Sequence, residues 1–315
     1  MRHTLLVDGN SIGMAAQNCN RLTNGETETQ AIFGSLRSLH AMTKAAPTRG
    51  ARIIVFWDGA SWRKNESVEY KANRDDDAEA AKQRESYKQQ RPLIVKALAT
   101  LGLTQVGAAN LEADDLIASV VRDNKGNHPM TIISGDKDLW QLVGPNVRWH
   151  NPINYKHGAA KVRTLQIEDF HDSTQYATPY RYMEGKALMG DPSDNIPGVG
   201  GIGEKGAIMI LDHWGSVKNM IVTLREKGEE DFPEHLKRYR KKFLTFANDE
   251  EAIKRFATNK RLMNLIDPVA PPAENKKVVK KTQNMEGFSE VCEQLGFVSI
   301  LRAMDAWSEN FKEAA

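Results

Sequence analysis

The sequence predicts an α/β fold, a mainly parallel central sheet flanked by helices, followed by a mostly helical half. Three observations predict it. Apolar runs at residues 4–7, 52–57 and 130–134 are continuous rather than alternating, as in strands buried on both faces. Apolar residues at helical spacing fill the intervals between them, at 30–43, 93–101 and 113–122. From about residue 179 onward the pattern is helical, broken by a Gly/Pro cluster at 191–206. Strand–helix alternation is accommodated by parallel strands joined through right-handed crossovers.

Taken in order, Met1-Arg2-His3-Thr4-Leu5 runs straight into the first strand and shows no signal peptide. Residues 63–90 fit no core element, because they are dense in charge and nearly lack aliphatic side chains. Residues 267–285, a proline pair followed by two Lys-Lys pairs, read as an extended or loop connection. Residues 288–307 read as one amphipathic terminal helix. The chain is expected to divide at 1–178 and 179–315. No internal repeat and no low-complexity tract is visible.

Composition narrows the function classes. Hydrophobics at 40% and charges at 27% are ordinary globular usage, which excludes wholesale disorder. No apolar run reaches the roughly 18 residues a membrane span needs, so no membrane is expected. Cys19 and Cys292 are too few for a disulfide scaffold or a thiolate zinc site. The expected compartment is reducing cytosol. The 43 basic and 41 acidic residues leave a net charge of +2, which says nothing against nucleic acid; their segregation along the chain is what matters.

The aspartates fall where the strands end. Asp8 and Asp58 directly follow the first two strands and Asp136 comes two residues after the third. Ligands of open parallel sheets bind outside the carboxyl ends of the strands, so these acids point toward one crevice. Glu112, Asp114 and Asp115 at a helix start, Asp138 beside Asp136, and Asp191 with Asp194 join them. Singly, each is read more simply as a turn residue, a helix cap or dipole complementation. Nine acids together would repel one another and hold protons unless cations neutralise them. Oxygen ligands without clustered His or Cys select Mg²⁺ or Mn²⁺. Two such ions suit in-line displacement at a phosphodiester, and the expected activity is metal-dependent phosphoryl transfer.

Basic residues lie nearby. Lys71 and Arg74 are three apart, one helix face, and could meet a phosphate as a point charge and a fork; alone they would be a solvated face. Downstream, Lys82, Arg84, Lys88 and Arg91 with Tyr87 among them, and Trp62 upstream, suit a single-strand path where bases stack and phosphates pair. Asp75, Asp76, Asp77 and Glu79 dilute that patch. Gly198-Val199-Gly200-Gly201-Ile202-Gly203 matches G-x-G-x-x-G, yet the preceding 191–197 carries two prolines and no strand, so a dinucleotide site is rejected. It reads instead as a glycine turn opening a helix at 204–213. Its N–H groups could hold a phosphate with Lys205, or its carbonyls a monovalent cation.

Together these residues resemble the 5′ nuclease family: phage 5′→3′ exonucleases, flap endonucleases and the 5′ nuclease domain of bacterial DNA polymerase I. LLVDGN at 5–10, FWDG at 56–59, YKANR at 70–74, LEADD at 111–115, SGDKDLWQL at 134–142 and MGDPSDNIPGVGGIGEKGA at 189–207 occur in the family's order. LGFVSIL at 295–301 resembles the closing helix of the polymerase-linked members, which makes the tail part of the fold. The resemblance implies a PIN-like 5′ nuclease fold with a helical arch over about 63–91 and a helix–turn–helix DNA-binding subdomain. It implies a first metal on Asp8, Asp58, Glu112, Asp114 and Asp115, and a second on Asp136, Asp138, Asp191 and Asp194. Lys71 would be the catalytic lysine and Arg74 its companion. Lys82, Arg84, Tyr87 and Lys88 would lie along the DNA path, and Gly198, Gly200, Gly201, Gly203 and Lys205 would meet duplex. The carbonyls of Val199 and Ile202 would hold K⁺. Two Mg²⁺ ions, replaceable by Mn²⁺, would serve a monomer acting on DNA with a free 5′ end, flap, nick or gap, beside a separate DNA polymerase. Two other readings stay open: a catalytically silent DNA-junction-binding protein, and a ribonuclease acting on RNA–DNA hybrids.

Overall fold

A computed structural model describes residues 2–44, 49–124, 126–153, 162–228, 232–312 and 314. The ends of the two expected halves, Met1 and Ala315, lie outside the described residues, as does the side chain of Asp75. In the first half, β1 (Thr4–Asp8) leads into α1 (Gly9–Gln17), a two-stranded ribbon of β2 (Thr23–Asn24) and β3 (Thr27–Glu28), α2 (Gln30–Lys44) and β4 (Arg52–Trp57). The short α3 (Arg63–Glu66), a 3-10 turn at Ala72–Asp75, the long α4 (Ala78–Thr100), β5 (Thr104–Gly107), α5 (Ala113–Asn124) and β6 (Met130–Ile133) follow. After a 3-10 turn at Asp138–Leu142, β7 (Val147–His150) and β8 (Thr164–Leu165) complete one edge.

The strands form one seven-stranded sheet in the order β8-β7-β6-β1-β4-β5, finished by β9 (Lys277–Val279). The five inner strands are parallel, while β8 and β9 are antiparallel edges. Continuous apolar runs make this possible because both faces are covered. Leu6, Phe56 and Ile132 point into one core with α5, whereas Leu5, Val7, Ile53, Val55 and Ile133 point into the other with α2 and α4. The runs of strands β1, β4 and β6 match the expected 4–7, 52–57 and 130–134 to within a residue. The strands β5, β7, β8 and β9 carry no comparable apolar run and are placed by pairing alone.

The helical part comprises α6 (Phe170–Thr174), α7 (Pro179–Met189), α8 (Glu204–Trp214), α9 (Val217–Lys227), α10 (Arg240–Asn248) and α11 (Glu250–Met263). The end of the chain forms α12 (Met285–Gln294), α13 (Val298–Leu301) and α14 (Met304–Lys312).

Three expectations need correction. The terminal helix is three pieces, because Gly296 takes φ +70, a left-handed conformation that ends α12. The connection at 267–285 is partly strand: β9 pairs with β5, so the chain returns to the first half's sheet. The tail helices pack there too, with Phe288, Trp307 and Phe311 in the core shared by α2 and α4. The stretch 63–90 does bury side chains. Arg63, Tyr87 and Gln90 are buried, Trp62 is in the core, and the second half of the stretch continues without a break into the helix expected at 93–101. Gln90 Oε1 accepts from the Ala31 N–H and its amide donates to Gln17, so polar pairing anchors what aliphatic side chains do not.

Candidate metal centre

The crevice is built at the carboxyl ends of β1, β4 and β6. Asp8 ends β1 and caps α1, accepting from the Ser11 N–H at 2.9 Å and from the Ser134 hydroxyl at 2.9 Å. Burial, with Asp58 beside it, lifts its carboxyl from 3.8 to about 6. Asp58 follows β4 and accepts the Ala113 N–H at 2.8 Å; burial and then Glu112 push it up. Asp114, in the first turn of α5, is raised by burial and by Asp136, Asp8 and Asp58. Asp136 and Asp138 follow β6. Desolvation of the carboxyls and then acidic neighbours push both up, although Asp136 is exposed and Asp138 half-buried.

Protein cations answer part of this charge. Lys71 Nζ lies 2.5 Å from Glu112 and 3.6 Å from Asp194, and Arg74 reaches Asp194 at 3.1 Å. Burial would raise Glu112, but Lys71 and Arg63 outweigh it and hold the carboxyl at about 2. Lys186, near the end of α7, bridges Asp138 at 3.0 Å and Asp191 at 2.7 Å. The Tyr70 hydroxyl lies 3.1 Å from both Glu112 and Asp194 and shares its one proton between them. Lys71 itself takes φ 59, a strained conformation for a side-chain-bearing residue, fixed by its N–H on the Asp194 carbonyl at 2.9 Å.

Thus eight of the nine expected acids, Asp8, Asp58, Glu112, Asp114, Asp136, Asp138, Asp191 and Asp194, form one electrostatically connected set. Asp115 differs: it is buried, and both its oxygens are taken by Arg63 at 2.9 and 2.8 Å. As the side chains stand, no three Asp, Glu, His or Cys among the described residues are gathered closely enough to hold one ion. Lysines and arginines occupy several of the oxygens instead. The donor set nevertheless fits hard cations, since it is all oxygen and carries acids that hold protons above their ordinary range.

The outer residues divide. Lys82 and Lys88 are exposed on α4, Arg84 is half-buried there, and Lys205 is exposed at the start of α8. Tyr87 is not available to stack a base. It is buried against α1, its hydroxyl donating to Asn10 at 2.9 Å, with its ring filling the space where Gly13 lacks a Cβ. Trp62 is likewise packed inside. In the glycine turn, Gly200 and Gly201 take φ +56 and +63, and a Cβ on Gly198 would sit 2.6 Å from the Met189 carbonyl oxygen. Gly203 caps α8 without a side chain. The Val199 carbonyl accepts the Ile202 N–H, and Lys242 donates to the Gly201 carbonyl at 2.9 Å. Sequence reasoning missed Arg63 and Lys186; neither stands in an acidic motif, and only folding brings them to the carboxylates.

Acids along the carboxyl edge of a parallel sheet, cations paired among them and a glycine turn in a helical second half are the features that the resemblance to 5′ nucleases implied. The chain belongs to the 5′-3′ exonuclease family, matching its N-terminal resolvase-like domain over residues 3–173 and its C-terminal SAM fold over residues 177–268. The thermostable DNA polymerase I of Thermus filiformis is 29% identical over 304 residues, covering 95% of this chain and 33% of that protein. The chain therefore spans about a third of the length of the curated relatives it matches. The bacteriophage T5 D15 protein, crystallised with metal ions, shares the fold at TM-score 0.65 and 19% identity over the whole of both chains. The T5 D15 flap endonuclease in a complex with DNA and metal ions gives TM-score 0.63 at 18% identity, covering 99% of each chain. No helix among the described residues is long and apolar enough to cross a membrane.

Proposed function

We propose that this chain is a structure-selective 5′ nuclease, a 5′→3′ exonuclease and flap endonuclease acting on DNA with a free 5′ end, flap, nick or gap, in replication or repair. The observation that carries the reading is the connected set of eight acids in one crevice, with Lys71 and Arg74 at its mouth. Asp8, Asp58, Glu112 and Asp114 would hold one divalent ion, and Asp136, Asp138, Asp191 and Asp194 a second, Mg²⁺ with Mn²⁺ as substitute. When bound, such ions supply an activated water and charge neutralisation for phosphodiester hydrolysis.

The chain's own residues do the rest. Lys71 and Arg74, now paired with Glu112 and Asp194, would offset charge on the scissile phosphate. Tyr70 orients Glu112 and Asp194. Lys82, Arg84 and Lys88 line the arch toward the 5′ strand. Lys205 and the free N–H groups opening α8 receive a duplex phosphate. The glycine turn would hold K⁺ through the Val199 and Ile202 carbonyls, a reading supported by the Lys242 ammonium seated on the neighbouring Gly201 carbonyl. A separate DNA polymerase is the partner that the polymerase I relatives suggest. Incubation with end-labelled flap, nicked, gapped and single-stranded DNA, and with an RNA–DNA hybrid, with and without Mg²⁺, tests this. Mg²⁺-dependent release from the 5′ side of DNA is expected. Binding without cleavage would leave the junction-binding reading in its place, and cleavage confined to the hybrid would leave the ribonuclease.

A further inference from the structure

We infer that Asp115 holds no metal and instead pairs with Arg63 as a positioning unit that fixes Glu112 and the arch base to the end of α11; the inference rests on the proposed metal site. Arg63 is 4% exposed, and each of its three guanidinium nitrogens donates a hydrogen bond. Nε donates to the Leu262 carbonyl at 2.6 Å, one terminal nitrogen to Glu112 and Asp115, each at 2.9 Å, and the other to Asp115 at 2.8 Å. Asp115 also accepts the Glu112 N–H at 3.1 Å. Both carboxylate oxygens are thereby satisfied by a fork in a buried setting. Of the eight other acids, Glu112 shares Arg63 with Asp115 but also binds Lys71, and Asp138, Asp191 and Asp194 bind Lys186, Lys71 or Arg74, whereas Asp115 gives both its oxygens to Arg63.

The unit joins three separate pieces of chain. Arg63 opens α3, where the arch begins; Asp115 and Glu112 belong to the start of α5; and Leu262 lies in the last turn of α11. A second strap runs alongside it, since Arg261 grips Glu66 through two bonds of 2.9 Å. A shift of α11, for instance on duplex binding by the helical half, is therefore delivered directly to Glu112 and to the root of the arch.

Loss of a ligand and loss of a strut have opposite signatures, because crevice acids repel one another whereas Asp115 is paired. Asp114→Asn relieves repulsion and is expected to raise Tm without metal while weakening Mn²⁺ binding more than tenfold. Asp115→Asn leaves Arg63 short of its partner and is expected to lower Tm by about 5 °C. Mn²⁺ stoichiometry and affinity, read by calorimetry or spin resonance, should stay within about threefold. Arg63→Lys should lower Tm in the same way with metal binding retained, and combined with Asp115→Asn should fall less than the two drops summed. A rise in Tm with tenfold weaker Mn²⁺ in Asp115→Asn would overturn the inference and make Asp115 a ligand. An additive double variant would overturn the pairing. Failure of the wild-type chain to bind Mn²⁺ at all would instead sink the metal-site reading, a separate outcome.

Discussion

Neutralising Asp8 should stabilise the metal-free protein, although Asp8 is buried and hydrogen-bonded. Burial and Asp58 lift its carboxyl from 3.8 to about 6, so keeping it ionised costs the fold about 3 kcal/mol at about 1.4 kcal/mol per pK unit. The sign follows from proton counting. The unfolded chain releases this proton near pH 4 and the folded chain only near pH 6, so the folded state binds more protons between them. Stability therefore falls as pH rises from about 4 to about 6 and stays low above that. Asparagine keeps an oxygen for the Ser11 N–H, and the Ser134 hydroxyl can turn to accept from the new amide. Imperfect replacement of these bonds, about 1 kcal/mol or more, leaves a net gain of about 1–2 kcal/mol, roughly 2 °C in Tm. Thermal unfolding in EDTA at pH 5 and pH 7.5 reads the effect. Wild type should lose stability between the two, and Asp8→Asn should lose less and exceed wild type at pH 7.5. Mg²⁺ should raise Tm more in wild type than in the variant, since a ligand that binds only the folded state stabilises by mass action. A less stable Asp8→Asn at pH 7.5 in EDTA, or a wild-type Tm that climbs between pH 5 and 7.5, would refute the reasoning.

On the proposed role of Lys71 at the reacting phosphate, Lys71→Ala should lower the cleavage rate at least about a hundredfold while DNA affinity in Ca²⁺ stays within about threefold; comparable losses in both would move Lys71 to general binding. Lys205→Ala should reduce the salt slope of duplex binding by roughly 0.9, one phosphate contact, and an unchanged slope would place the duplex site elsewhere. Tyr87→Ala should cost about 3–5 kcal/mol of stability, since its ring is core against α1; an unchanged Tm with weakened single-strand binding would return Tyr87 to the DNA path.

The sequence by itself determined three of the sheet's five interior strands, β1, β4 and β6, and where the acids fall along the chain. Continuous apolar runs are read without knowing their partners, because a strand covered on both faces needs such a run wherever it lies in the sheet. Asp8, Asp58 and Asp136 were legible as neighbours in one crevice because strand ends in a parallel sheet converge on one edge. The family motifs carried the same information for Lys71, Arg74 and the glycine turn. The short strands were not legible, inner β5 and β7 no more than the edges: β9, three residues with Val278 exposed and Val279 half-buried, exists through its pairing with β5. Only the tertiary structure decided which charges meet. Arg63 and Lys186 look like any surface cation in the sequence, yet one closes on Asp115 and the other spans Asp138 and Asp191. Tyr87 shows the converse, an aromatic in a charged stretch that the fold turns inward. Strand and helix are specified by local periodicity, whereas most of these charge pairings join residues tens of positions apart, 52 between Arg63 and Asp115 and 41 between Lys71 and Glu112.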